Sequence, residues 1–395
     1  MKRFELPEGW EWKKLTEVCN LNPRKSEIGS KPDSTEVTFV PMSAVDDGSG
    51  KITRPEIKKK EEVYKNYTYF AERDVIFAKI TPCMENGKSA IALGLINGIG
   101  FGSTEFHVLR PGPLVSPEWL HKFVRRKGFR EYAKKHMRGA AGQQRVPIDF
   151  LREIEIPIPP LAKQKRIVAR IEELTRRAEE AQKTAIEREA ELNVLLQALY
   201  CRMTEGVEWK PLSKVASLVR RAIKTKLNEE YGEMGIRSFG KGTFKKPFLN
   251  GKQIGNKRIY RIHEGDLVFN NVFAWEKAIA VARKEDHGRV GSHRFITYEP
   301  HESRATSDFL CHHFLSERGI EDIRAASPGS AGRNRTLGLR KLEKILVPIP
   351  DYAEQKRFAE IARRRQLAQQ ESAGIEEDMK SFKAALLAKA FRGEL

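Results

Sequence analysis

The sequence predicts an α+β protein: two repeat-related mixed α/β domains separated by two long helices that pair as an antiparallel coiled coil. Three observations predict it. The same punctuation occurs twice, Pro157-Ile158-Pro159-Pro160-Leu161-Ala162-Lys163-Gln164-Lys165-Arg166 and Pro348-Ile349-Pro350-Asp351-Tyr352-Ala353-Glu354-Gln355-Lys356-Arg357, at a constant spacing of 191 residues. Each copy opens a stretch without further proline, rich in the helix formers Ala, Glu, Lys, Arg, Gln and Leu. Each is preceded by a region in which short β-branched and aromatic runs alternate with Gly and Pro.

The elements follow in order. Residues 1–160 form the first domain, opened by Gly9-Trp10-Glu11-Trp12, with strands at Val37–Val40, Val75–Ala78 and Phe106–Leu109 and a helical patch near Pro117–Lys135. Residues 161–205 form the first long helix, with apolar positions at Ile167, Ile171, Leu174, Ala178, Ala181, Ala185, Leu192, Leu195 and Leu199 in alternating steps of three and four, broken only by Arg188. Residues 206–350 repeat the first domain, from Gly206-Val207-Glu208-Trp209 through strands at Leu267–Phe269 and Phe295–Tyr298 to a helical patch at Ser307–Ala325. Residues 351–395 form the second long helix, with Phe358, Ile361, Ala368, Ile375, Met379, Phe382 and Leu386 in a similar rhythm and a weak point at Gly374. Neither helix can bury its stripe alone. A pair within one chain explains why the two seams are repeat-related; a dimerisation coiled coil with another chain is the alternative. About 39 helical residues span roughly 58 Å.

Composition narrows the function. Lys and Arg total 72 against 53 Asp and Glu, a net charge of +19, so the long-range field attracts polyanions, and nucleic acid gains most from such a surface by counterion release. Four scattered cysteines, Cys19, Cys83, Cys201 and Cys311, form no Cys-x-x-Cys pair, which points to a reducing cytoplasm rather than a disulfide or zinc framework. No apolar run reaches the roughly 18 residues of a membrane span, and the N-terminus leads into no secretory segment.

Catalytic motifs are missing. Gly48-Ser49-Gly50-Lys51-Ile52 lacks the leading glycine and the Ser/Thr of a phosphate loop, so it reads as a turn. Gly98-Ile99-Gly100-Phe101-Gly102 leads into a strand, not a helix. No Asn-Pro-Pro-Tyr or Asp-Pro-Pro-Tyr run and no His-Glu-x-x-His is present, and His312-His313 point about 100° apart on a helix. The chain reads as a non-catalytic binder.

The candidate contacts with double-stranded DNA are two Gly-rich loops. The first carries Arg138, Gln143, Gln144 and Arg145, the second Arg333, Asn334 and Arg335. Arg suits guanine edges and phosphates, Gln and Asn suit adenine edges, and glycine allows close backbone approach. Lys79, Asn86, Lys88, Lys241, Asn270, Asn271 and Arg294 form a second rank of phosphate contacts or plain surface.

The two Pro-Ile-Pro…Gln-Lys-Arg junctions, the terminal Leu386-Leu387-Ala388-Lys389-Ala390-Phe391-Arg392-Gly393-Glu394-Leu395 and the stretch Phe77–Lys88 together resemble the specificity subunits of type I DNA restriction-modification systems over the whole chain. That resemblance implies two target recognition domains, each reading one half of a bipartite site. It also implies two methyltransferase subunits docked on the paired helices, with a pair of restriction subunits as further partners. The cofactors S-adenosylmethionine, ATP and Mg2+ would belong to those partners, and none to this chain. Helix pairing and docking are expected at Gln164, Ile167, Ile171, Leu174 and Leu195, and at Gln355, Phe358, Ile361, Met379 and Leu386. A stand-alone DNA methyltransferase and a scaffold that reads no DNA are the competing readings.

Overall fold

In the computed structural model the duplication is visible strand by strand. The structure describes residues 4–329 and 335–395, the side chains at 370, 373 and 376 excepted. It divides into two compact units, Met1–Ala181 with Ile375–Leu395, and Gln182–Gly374.

In the first unit, an antiparallel four-stranded sheet has the order Cys19–Leu21, Phe106–Pro111, Val75–Ala78, Ser89–Ile91. A mixed sheet has the order Glu56–Lys59, Glu36–Val40, Ile99–Gly102, Thr68–Ala71, with its middle two strands parallel. The second unit repeats both. Its antiparallel sheet runs Ala216–Val219, Phe295–Pro300, Leu267–Asn270, Ile279–Val281. Its mixed sheet places Thr243–Asn250, Glu230–Ile236, Val290–Ser292 and Ile259–Arg261 in the same order, with Ala222–Ile223 added at the edge. The central strands are apolar on both faces: Val75, Ile76, Phe77 and Ala78 are all buried, as are Leu267, Val268 and Phe269.

Each unit also closes its ends with a two-stranded ribbon, Glu11–Lys14 on Glu155–Ile158 and Trp209–Pro211 on Leu346–Pro348. The ribbon's last strand runs straight into a long helix, so the repeated prolines sit at the strand-to-helix corner. A helix pair covers each antiparallel sheet, Pro117–Arg125 with Lys127–Lys134 and Ser307–Leu315 with Glu317–Ala325. Ser116 and Thr306 cap the first helix of each pair, accepting from the amides of Trp119 and Phe309.

The long helices are Leu161–Thr204 and Tyr352–Arg392. In each unit they run antiparallel. In the first, Ile167, Val168 and Ile171 share a core with Leu386, Ala390, Phe391 and the domain's Trp119 and Phe123, Leu174 packs at its edge, and Lys383 Nζ meets Glu179 2.8 Å away. In the second, Leu196, Tyr200 and Met203 pack with Phe309, Phe358 and Ile361, and Arg365 donates to Asn193 at 2.8 Å.

Several expected helix positions need correction. Leu195 is 45% exposed, while Leu196 is buried. The seam keeps a strict heptad phase through Ala185, Glu189, Leu192, Leu196 and Leu199, so the expected run through Arg188 and Leu195 lies one residue out of phase. Gln164 and Gln355 neither pair the helices nor face a partner. Both are fully buried, inside the joint between helix and domain. Met379 is half-buried as expected, whereas Phe382 is exposed and lies off the seam, which passes through Lys383 and Leu386 instead.

Candidate nucleic-acid interface

The first Gly-rich loop is a tight hairpin. Arg138 and Arg145 exchange backbone hydrogen bonds, each 2.9 Å, and the turn between them is closed by the Gln143 amide on the Ala140 carbonyl at 3.0 Å. Gly139 and Gly142 sit at φ +125° and +81°, and a Cβ at Gly139 would lie 2.9 Å from the Gln143 carbonyl oxygen, so glycine is required there. The hairpin is stitched to the main sheet. The Val146 amide donates to the Lys79 carbonyl at 2.9 Å, the Thr81 amide to Gln144 at 3.0 Å, and the Lys79 amide to Glu105 at 2.8 Å. Lys79, Arg138, Gln143, Gln144 and Arg145 therefore gather in one place.

Glu105, which sequence reasoning passed over, organises that place. Its carboxylate takes Arg145 in a fork, Nη2 at 2.7 Å and Nε at 3.0 Å. Hydrogen bonding to Arg145 holds the Glu105 carboxyl below the usual range, and the same contact raises the Arg145 guanidinium. The half-buried Lys79 amine is lowered, first by burial and further by Arg145. Behind them the buried His107 lies 2.8 Å from the Val146 carbonyl oxygen through Nε2, and burial pushes it down to about 4.

The other first-domain candidates lie in the adjoining turn. Asn86 ends a short helix, Cys83–Asn86, and is exposed. The Lys88 amine donates to the Met42 carbonyl at 3.1 Å, which ties two turns together. Arg125 reaches the carbonyls of Asp47 and Gly48, so Gly48-Ser49-Gly50 is a braced turn.

In the second unit the same backbone bonds recur with different side chains. The Asn271 amide donates to Arg294, and the Leu337 amide to Asn271, both at 2.8 Å. Asn271 thus stands where the first unit has Lys79, Arg294 where it has Glu105, and Leu337 where it has Val146. Asn271 Oδ1 is buried with no partner among the described residues. Asn270 is spent on its own turn, its Oδ1 accepting from the Val272 amide at 3.2 Å. Arg335 lies over the Trp275 ring, 5.3 Å from its centre. Arg333 and Asn334 lie outside the described residues. Lys241 is exposed on the turn that joins Glu230–Ile236 to Thr243–Asn250. That turn is bonded to the Asn270 turn through the Phe239 amide on Glu276 at 2.8 Å and the Gly240 amide on Lys277 at 3.0 Å. Phe239 is 70% exposed at φ +62°, a conformation and exposure that residue identity alone does not foretell. Glu105 was legible in principle, since Gly102-Ser103-Thr104-Glu105-Phe106 aligns with Gly291-Ser292-His293-Arg294-Phe295.

Both sites are shallow and polar, built from Arg, Lys, Asn and Gln on turns at one end of a sheet. That donor set fits phosphates and base edges. No described helix is long and apolar enough to cross a membrane.

Comparison with known proteins agrees. A family model for the type I restriction modification DNA specificity domain matches residues 7–188. Two curated Escherichia coli proteins are similar to this chain: the type I restriction enzyme EcoAI specificity subunit, 44% identical over 177 residues, and the EcoEI specificity subunit, 41% identical over 174. Each alignment covers 44% of this chain and 29% of the relative, so the matched part is under a third of either relative's length. The HsdS subunit from Thermoanaerobacter tengcongensis shares the fold over 99% of both chains, with a TM-score of 0.61 at 22% identity. With the duplicated fold and the antiparallel helices, these similarities identify residues 7–188 as similar to the type I restriction modification DNA specificity domain and the whole chain as sharing the fold of an HsdS subunit.

Proposed function

We propose that this chain is the non-catalytic, sequence-reading subunit of a type I restriction-modification complex. Each domain reads one half of a bipartite double-stranded target, and the paired helices dock two methyltransferase subunits. Restriction subunits join where the host makes them. S-adenosylmethionine, ATP and Mg2+ are used by those partners, in the cytoplasm. One observation carries the reading. A single backbone frame occurs twice in one chain and holds different side chains at equivalent points, Lys79 against Asn271 and Glu105 against Arg294. Two frames with unlike contents are what two unlike half-sites require.

Footprinting of the full chain on a bound duplex tests this directly. Two protected patches with an unread spacer are expected; one continuous site would count against it. A matched heptad insertion in both helices should change the tolerated spacer and leave the half-sites alone. Transfer of labelled methyl groups to DNA by the chain without partners would overturn the non-catalytic assignment.

A further inference from the structure

The Glu105–Arg145 fork is more than a surface ion pair. A guanidinium carries five N–H groups. In Arg145 the Nε group and one on Nη2 go to Glu105, and one on Nη1 goes to the Gln143 carbonyl at 2.9 Å. One N–H remains on each of Nη1 and Nη2, side by side on the outer edge, with no partner among the described residues. The Arg145 side chain is 43% exposed, that of Glu105 only 23%, so the acid lies behind and the free edge in front. The backbone of Arg145 is itself fixed by its two bonds to Arg138. The usual entropic cost of ordering a long arginine is thus met before any ligand arrives.

We propose that Arg145 reads a guanine in the half-site taken by the first domain, presenting that outer edge to O6 and N7, and that Glu105 is the positioning residue which sets it. This rests on the DNA-reading function proposed above. Two parallel donors match the two adjacent acceptors that only guanine offers in the major groove. A phosphate would also accept such an edge, but it accepts a freely swinging arginine or lysine as well and needs no bracing. Among the described residues the second unit has no such device at the equivalent place. Arg294 replaces Glu105, and the residue before Leu337 is Thr336, where the first unit has Arg145 before Val146. The guanine is therefore assigned to one half-site only.

The test is selection of bound duplexes from a randomised double-stranded library by the full chain, with whatever subunits co-purify with it. The wild type is expected to yield two half-motifs. Arg145→Lys keeps the charge and removes the fork. It should cut the preference for one G·C pair roughly ten- to hundredfold, in one half-motif only. Its affinity for random DNA and its salt dependence should hardly move. Glu105→Gln should weaken the same preference less. With the wild-type chain, 7-deazaguanine at that position should reproduce the loss, which keeps the test sound even if a variant folds poorly. An unchanged motif in Arg145→Lys would overturn the proposal. So would uniform weakening across all sequences with a salt slope lower by about one, the mark of a phosphate contact. If the wild type selects no motif at all, the DNA-reading function itself falls, and this inference with it.

Discussion

Gln164 and Gln355 make the same three hydrogen bonds, 191 residues apart. Gln164 Oε1 accepts from the Ser116 amide at 2.9 Å, and its Nε2 donates to the carbonyls of Leu114 and Pro159, both at 2.8 Å. Gln355 Oε1 accepts from Thr306 at 2.9 Å, and its Nε2 donates to Arg304 at 3.0 Å and Pro350 at 2.9 Å. Each side chain is fully buried and joins the first turn of a long helix to the loop that starts the domain's helix pair. Only a primary amide offers an acceptor on one atom and two donors on the other at this length.

Gln164→Glu is therefore expected to be far worse than its size suggests. It would set a carboxylate oxygen against two carbonyl oxygens in a buried joint, leaving a charge or an unmatched acceptor. The expected loss is about 3 kcal/mol, by the cost of unsatisfied buried polar groups, read as a lower urea midpoint. Gln355→Glu should behave alike. A change under about 0.5 kcal/mol would mean that the joint does not hold the helix.

The far end of each helix is anchored by an aromatic. Phe391 lies 4.2 Å from the Trp119 ring centre in the first unit, and Tyr200 lies 5.8 Å from Phe309 in the second. Phe391 is fully buried, and Arg126 lies over its ring. Phe391→Ala should cost about 3–5 kcal/mol, as for other large aromatics cut from a packed core. Thermal unfolding measures it. A loss near zero would show that the last turn of the C-terminal helix does not pack on the first domain.

These anchors show what could be read from the chain alone. The repeat, the two long helices and most strands were legible, because they rest on spacing and composition: Pro157 with Pro348, the runs at Val75 and Leu267. The role of Gln164 was not. A glutamine on a charged helix looks like a surface residue until the loop carbonyls at 114 and 159 are brought to it. The heptad phase near Leu195 failed for a related reason. Leu195 and Leu196 are adjacent and equally apolar, so the seam is chosen by what faces it. The repeat marks the position of Glu105 but not its role, because an acid within a basic chain reads as charge balance and its meaning comes from Arg145, forty residues on.

Buried histidines set a pH dependence. Burial pushes His107, His312 and His313 down to about 4 and His121 down to about 3. In the unfolded chain a histidine titrates near 6.5. Above that value both states are neutral, and these groups leave stability untouched. Below it the unfolded chain binds protons that the folded protein refuses, so stability falls as pH drops from about 6.5 towards 4. The steepest loss is about 1.4 kcal/mol per pH unit for each histidine. The urea midpoint should fall between pH 7.5 and 5.5, before most carboxylates titrate, and His121→Gln should flatten part of the fall. A midpoint that stays level over that range would contradict the buried, neutral assignment.

The seam itself offers the sharpest contrast, between two neighbouring leucines. Heptad spacing places Ala185, Glu189, Leu192, Leu196 and Leu199 on one face, and Ser372 of the C-terminal helix donates to the Glu189 carboxylate across it. Leu196 is buried with Tyr200 and Phe358. Leu195 points about 100° away and is 45% exposed. Leu196→Ala should thus cost about 2–5 kcal/mol, whereas Leu195→Ala should stay within about 0.5 kcal/mol of the wild type. Both are read from the unfolding of the purified chain. If the two substitutions cost the same, the helices meet in the other phase, and the Glu189–Ser372 contact cannot form.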